Sequence, residues 1–464
     1  MSGRWVLDAP DARARPLDLL RWRWRESQAS MLVLAGVGAY AAIAFYAMNR
    51  SGYDVWGGLF VLPILLALSM PLLSVMARHE DDPRLATVLF WALIAKLVMA
   101  IPRWGMGFIL YGGVADASGY SGAGAMLANA YRHLHFIGPP STVTGTNTLQ
   151  VITGIIYVFT GNTTLGGYIV FSWIGFWGLY LYYRAVKLAV PEVDHFRYAL
   201  FVFFLPTMLF WPSSIGKDAW MCMGIGLSTY GAARLFRSRR GAYPILAAGL
   251  VATAIVRPNM TAILFAALFI GYLLRPAGPR ATVLSPIFKT LGIVLLLVAG
   301  FVVINKAKSF FGLTTLSVTS VQHVIHTAGV NTTIGGSSFT PTPVHNPLEF
   351  PVGAVTVLFR PFPWESHNIQ VLLTGMEGVF LMGATALSWR RFAAVRHHLR
   401  NPFVIMALVY SVEFIYAFSR FGNYGIIARE RAQLYPFFLL FLCLRPWRHE
   451  QPAALPLRKA STPV

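Results

Sequence analysis

Charge is what this sequence has least of. Only 12% of its 464 residues are Asp, Glu, Lys or Arg, about half the share of an ordinary soluble domain. With 56% of residues hydrophobic, too little charge is left to cover the apolar residues with a hydrated surface. That excludes a soluble protein of two or three domains. Cysteine is nearly absent: Cys222 and Cys443 both lie in apolar runs and read as small core residues. A disulfide framework and a Cys-based metal site are therefore excluded. No signal peptide is read, because about thirty largely polar and charged residues precede the first apolar run. Acid is scarcer than base, with 18 Asp/Glu against 38 Lys/Arg and a net charge of +20. In a soluble protein that excess points to nucleic acid, but in a membrane protein it first sets orientation.

What the chain does have is long apolar runs, and its mean hydropathy is +0.57. A spanning helix needs about 20 mostly apolar residues. Twelve segments fit: 31–49, 57–76, 86–102, 163–183, 198–213, 219–235, 243–256, 260–275, 286–305, 368–388, 402–419 and 433–446. Segment 149–161 is apolar but short and reads as an interfacial or re-entrant helix, so the count runs from 11 to 13. The expected fold is an all-α polytopic membrane protein. A cytoplasmic tail (1–30) leads into one transmembrane domain (31–446), and a second cytoplasmic tail (447–464) follows. With both termini inside, 26 Lys/Arg fall on the inner side and 11 on the outer, with Lys96 inside the third span. Two outer loops, 103–162 and 306–367, are each about sixty residues long. Connections of that length are usually functional.

Against the scarcity of acid, six outward carboxylates stand out: Asp54, Asp116, Asp218, Glu349, Glu365 and Glu430. Asp116 follows a Gly-rich turn after the third span, where a carboxylate can take a proton from an incoming hydroxyl. The plainer reading is an Asp capping the helix that Tyr120 to Tyr131 suggests. Lys217 and Asp218 sit where the sixth span begins on the outer side, and a helix N-terminus with a nearby cation favours an anion. Ser213, Ser214 and Asp218 can equally serve as caps. Arg420, Arg429 and Arg431 in the last outer loop oppose the positive-inside bias, and an Arg fork holds phosphate well. On a helix, however, Arg429 and Arg431 point about 200° apart. Arg360 and Glu365 are either a structural pair or reach the site, and Arg257 is another outer cation at a helix end. His133, His135, His323 and His326 have no nearby carboxylate partner and are not read as metal ligands. Lys96, Glu377 and Glu413, at membrane depth, point to buried pairing.

Several of these motifs fall together. Asp116 and Tyr120 form an Asp-x-x-x-Tyr, and Tyr157, Phe159 and Gly161 form a Tyr-x-Phe-x-Gly. A span then ends Tyr182-Tyr183-Arg184, and an aromatic-Pro turn carries polar residues into the next helix. From Asp116 to about Phe236 this resembles the GT-C superfamily of membrane glycosyltransferases, which use polyprenyl-phosphate sugars. The later motifs resemble those of bacterial membrane proteins linked to cell-surface polysaccharides. The GT-C resemblance implies a helical bundle with an outward-facing site, a first-loop Asp as general base, and basic residues on the donor phosphate. Only Asp116 maps onto the catalytic position, with two extra spans before it. The family often has an acidic pair there, for which Asp54 is the candidate second acid.

The expectation is an inverting glycosyltransferase of the bacterial cytoplasmic membrane. It would work on the extracytoplasmic face in cell-envelope polysaccharide biosynthesis, with a polyprenyl-phosphate sugar as donor and a glycan or glycolipid as acceptor. Asp116 is the expected base. Arg429, Arg431, Lys217, Arg257 and Arg420 are the expected phosphate ligands, with Tyr120, Asp218, Arg360, Glu365 and Asp54 shaping the site. No metal site and no nucleic-acid partner is expected, no cofactor is assigned, and a divalent cation is left open. The alternatives are a polymerase or ligase using lipid-diphosphate-linked oligosaccharides, and a lipid-linked sugar flippase or transporter. Against transport, the sequence shows none of the repeats common in transporters.

Overall fold

The computed structural model describes residues 16–78, 80, 82–113, 115–276, 285–310, 317–332 and 337–446. Among them there is no β-strand, only two isolated bridges, Val193–Leu444 and Ser338–Asn423. Helices α1 (Pro16–Arg50), α2 (Tyr53–Arg78) and α3 (Pro83–Gly105) open the chain, and α3 runs on through a π-helical turn, Met106–Leu110. α4 (Asp116–Arg132) and α5 (Thr146–Thr160) pack on each other ahead of α6 (Thr164–Ala189). Next come α7 (His195–Phe204), the short α8 (Pro206–Phe210), α9 (Lys217–Phe236), α10 (Ala242–Ala254) and α11 (Pro258–Leu273). α12 (Ser285–Phe310), α13 (Val318–Thr332), α14 (Phe350–Phe359), α15 (Ile369–Leu387) and α16 (Trp389–Ala393) follow. α17 (Pro402–Phe418), α18 (Tyr424–Glu430) and α19 (Tyr435–Cys443) complete the set.

Among the described residues, four helices are long and apolar enough to cross a membrane: Tyr53–Arg78, Pro83–Leu110, Thr164–Ala189 and Ile369–Leu387. A fifth is added if Trp389–His397 and Pro402–Phe418, bent by 120°, count as one span. These helices do not account for all twelve expected spans, for a physical reason. An apolar run can be buried in protein rather than in lipid, and every residue of α19, which replaces the 433–446 span, is buried. The 198–213 span is broken into α7 and α8 at Leu205-Pro206, since Pro206 supplies no backbone N–H. The 243–256 and 260–275 segments give helices of only 13 and 16 residues.

The two long loops carry helices of their own. Segment 103–162 holds α4 and α5, and 306–367 holds α13 and α14. α14 packs against α15 and α17 through Gly353, Thr356, Val357 and Leu358. The expected N-terminal tail is helical from Pro16 onward. Residues 1–15, the 277–284 connection and the C-terminal tail lie outside the described residues.

α9 sits between α6 and α10, and small residues let the backbones touch. A Cβ added to Gly178 of α6 would lie 2.5 Å from the Cys222 carbonyl oxygen, and one on Gly249 of α10 would lie 2.4 Å from the Ser228 nitrogen. Close approach of this kind replaces hydrophobic drive where lipid is the solvent.

The break at α8 leaves polar backbone ends in the protein interior, which is tolerated only where protein satisfies them. Two buried charges do so. Lys96 of α3, wholly buried, donates from Nζ to the carbonyls of Met208 and Leu209, each at 2.8 Å. Glu377 of α15 accepts from the Thr207 N–H at 3.0 Å and the Thr207 hydroxyl at 2.8 Å. The cation thus holds the negative end of α8 and the carboxylate its positive end. The buried pairing expected for Lys96 and Glu377 is made with backbone ends, not between the two side chains.

Lys96→Met leaves two buried carbonyls without a donor and should cost about 2–4 kcal/mol. Thermal unfolding in detergent should show it well below wild type. Glu377→Gln, which keeps an acceptor, should fall less than Glu377→Leu. Wild-type melting for both Lys96→Met and Glu377→Leu would show that this clamp does not hold α8.

Candidate functional site

After α3 and its π-helical turn the chain reverses through Gly112 and Gly113, at φ +58° and +77°, a region that favours glycine. The reversal delivers Asp116 to the first position of α4. Ala115 occupies the N-cap position, and Ser118 Oγ donates to the Ala115 carbonyl at 2.6 Å. Asp116 is therefore not the capping residue, and its side chain is 74% exposed. It opens into a cavity of about 290 Å³.

Five other parts of the chain complete that cavity. Arg103 and Tyr111 come from the end of α3 and its extension, and Tyr168 from α6. The turn after α8 brings Trp211, Ser214 and Gly216, then Lys217 and Asp218 at the start of α9. Gln370 comes from α15 and Arg429 from α18. Asp116, Tyr120, Lys217, Asp218 and Arg429, all singled out in the sequence, meet here.

Behind the wall lies a closed ring of charge. Arg429 approaches Asp218 at 3.5 Å and Glu430 at 3.5 Å. Arg257 completes the ring, pairing with Asp218 at 3.5 Å and hydrogen-bonding Glu430. Gln433 adds a donor to Glu430 at 2.7 Å. Arg429 also reaches Asp116, at 3.8 Å, and so ties the ring to the exposed carboxylate. Burial by itself would raise the Glu430 carboxyl pKa, but the Arg257 and Arg429 guanidinium groups hold it below the usual glutamate range. The Arg429 pKa is raised, chiefly by Asp218. Lys217 lies outside the ring. Burial, with Arg257 adding to it, pulls its pKa below the usual lysine range.

The other expected site residues fall elsewhere. Arg257 stands in the ring rather than at the cavity wall. Arg431 is wholly buried and donates to the carbonyl of Arg360 at 2.8 Å, with Leu358 O at 3.4 Å. It therefore caps the C-terminus of α14, on the side away from Arg429 that the helical spacing implies. Arg420 packs over Tyr416 and does not line the cavity. Asp54 accepts from the backbone N–H and hydroxyl of Thr164, and so caps α6 rather than joining Asp116. Arg360 and Glu365 pair with each other, and Arg360 donates to Tyr424 Oη at 2.6 Å. Tyr424 lines a second cavity of about 50 Å³, which shares Tyr111, Trp211 and Gln370 with the first. Among the described residues no group of three or more His, Cys, Asp or Glu is placed to hold a metal.

Arg103 was not singled out in the sequence. There it is one more cation at a span end, where anchors are common. In the structure its guanidinium lies over the rings of Phe210 and Trp211, at 5.0 and 5.1 Å. The Trp211-Pro212 turn is the signal that could have paired the two.

Comparison of the chain with protein-family models, curated proteins and solved structures gives no match.

Arg257→Leu leaves two buried carboxylates sharing Arg429 as their only cation in the ring and should cost about 3–5 kcal/mol. Arg257→Leu combined with Glu430→Leu should recover part of that loss in the same unfolding assay. The acid dependence follows in sign. Since the folded Glu430 pKa is below its unfolded value of about 4.3, its contribution is complete above that value. It is lost as pH falls through the lower folded value. Glu430→Gln should therefore flatten the acid limb of a melting-temperature profile, and an unchanged limb would remove Glu430 as its source.

Proposed function

We propose that the chain is a GT-C-like membrane glycosyltransferase, moving a sugar from a polyprenyl-phosphate donor to a glycan or glycolipid acceptor. The site would face the extracytoplasmic side of a bacterial cytoplasmic membrane, in cell-envelope polysaccharide synthesis. One observation carries the reading: an exposed carboxylate, Asp116, shares one cavity with Lys217 and Arg429, contributed from separate parts of the chain. The cavity also lies at the end of an apolar helix long enough to span, beside Ile109 and Leu110, which are 75% and 65% exposed. A prenyl chain could lie against those side chains while its phosphate enters the cavity.

In this reading Asp116 takes the proton from the acceptor hydroxyl as its oxygen attacks the anomeric carbon from the face opposite the phosphate. A new carbon–oxygen bond forms as the bond to the phosphate oxygen breaks. The leaving electron pair stays on the phosphate, and the sugar's configuration inverts. Arg429 and Lys217 stabilise that growing charge in a site sheltered from water. Arg429 has a second part: its pairing with Asp116 is the contact that an incoming phosphate would compete for.

Asp116→Asn should lower transfer at least about 100-fold while donor binding stays near wild type. Purified protein would be supplied with a monosaccharide on polyprenyl monophosphate and, separately, with a diphosphate-linked oligosaccharide. Turnover of the first substrate by wild type and its loss in Asp116→Asn is the expected result. Near-wild-type turnover in the variant would overturn the role of Asp116, and turnover of the second substrate alone would overturn the donor class.

A further inference from the structure

Two cations at the cavity have no carboxylate partner among the described residues. The Arg103 guanidinium is held by ring faces, and its Nε is buried with no hydrogen-bond partner. Lys217 makes no ion pair there either. Both line the same cavity as the start of α9, a helix of 20 residues whose N-cap, Gly216, carries no capping side chain. The early N–H groups of that helix are thus left without a side-chain acceptor. Ser214, 4% exposed, lines the same wall, and its hydroxyl has no hydrogen-bond partner among the described residues. Unpartnered donors converging beside an unfilled helix N-terminus call for an acceptor that brings its own negative charge.

We infer that Arg103, Lys217, Ser214 and the first turn of α9 form the seat of a phosphate-class oxyanion, apart from the ring that occupies Arg429 and Arg257. The inference rests on the glycosyl-transfer reading for what the phosphate is attached to. The seat itself follows from the side chains. Arg103 is then a binding residue, and its ring contacts fix the guanidinium plane while leaving its N–H edge for the anion. Arg429 keeps its ring carboxylates, Asp218 and Glu430, and adds charge to the same cavity. Lys217, whose ammonium is disfavoured by burial, gains a partner when the seat fills.

The geometry of Gly216 offers a specific test. Its φ of 166° is extended backbone that any residue adopts, and an added Cβ would meet only Ser214 Oγ, at 3.9 Å. Gly216→Asp should therefore fold and place its own carboxylate on the α9 N–H groups, occupying the seat. Arg103→Met removes the cation and keeps an apolar side chain against the rings. The full chain in lipid nanodiscs would be titrated with polyprenyl monophosphate, with uncharged polyprenol, and with inorganic phosphate in the buffer. Binding would be read by thermophoresis and melting temperature.

Polyprenyl monophosphate should bind wild type, and polyprenol should not. Gly216→Asp and Arg103→Met should each weaken binding about tenfold or more, while Arg420→Gln, outside the cavity, keeps wild-type affinity. If inorganic phosphate alone raises the melting temperature with the same dependence on both variants, the seat stands and its anion is a free one. Wild-type affinity in folded Gly216→Asp and Arg103→Met, or equal binding of polyprenol, overturns the seat. Binding that is lost in both variants, from a protein that transfers no sugar, upholds the seat and overturns the transferase reading.

Discussion

Arg257, Asp218 and the Arg429–Glu430 pair come from three separate stretches of chain, and the site keeps its shape only while they are paired. Taking four charges out of water costs several kcal/mol for each ion. A ring in which each cation meets two carboxylates, and each carboxylate two cations, offsets that cost more fully than isolated pairs do. It also fixes geometry. α9, the start of α11 and α18 are held at one point, and Arg429 is left with one further contact, the exposed Asp116. If the ring opens, the wall that carries Lys217 and the guanidinium facing Asp116 move with it.

A second constraint sets where that wall lies. The turn from Trp211 to Gly216 is irregular backbone following a broken helix, and lipid would not tolerate its open ends. Lys96 and Glu377, from α3 and α15, hold the two ends of α8. The buried Ser213 hydroxyl donates to Leu209 O at 2.6 Å and lies 2.9 Å from the Ser172 hydroxyl. These contacts turn the chain so that Trp211 meets Arg103 and Gly216 opens α9 toward the cavity. Buried charge here serves the backbone, and through it the site.

How much of this was legible in the sequence depended on which physical quantity each residue reported. Asp116, Lys217, Asp218 and Arg429 could be picked out because polar residues after apolar runs are costly and need a reason. The helical class followed from the apolar runs themselves. Their number did not, because hydropathy reports aversion to water and not whether lipid or protein provides the shelter. α19 is apolar and surrounded by protein, whereas α2 is apolar and mostly open on its outer side. Arg431 shows the same limit for charge, since a buried guanidinium that caps carbonyls from α14 and one that faces a cavity have the same local sequence. Arg103 was overlooked because its role depends on two rings more than a hundred positions away.

The arrangement also explains why a basic cavity need not sit empty of counter-charge to bind an anion. The ring is balanced, with two guanidinium groups against two carboxylates, and contributes order more than net attraction. Attraction falls to the cations outside the ring, Arg103 and Lys217, set against a single exposed carboxylate. An aromatic wall makes that attraction stronger than water would allow, because field lines there are poorly screened. In the proposed reading, that excess would suit an anion carried on an apolar chain. Asp116 lines the same cavity with an exposed side chain, where in the proposed reading an acceptor hydroxyl would reach it. In the proposed transferase, Arg103 and Lys217 would hold the leaving anion while the exposed Asp116 takes up the proton, so that one small cavity serves both steps.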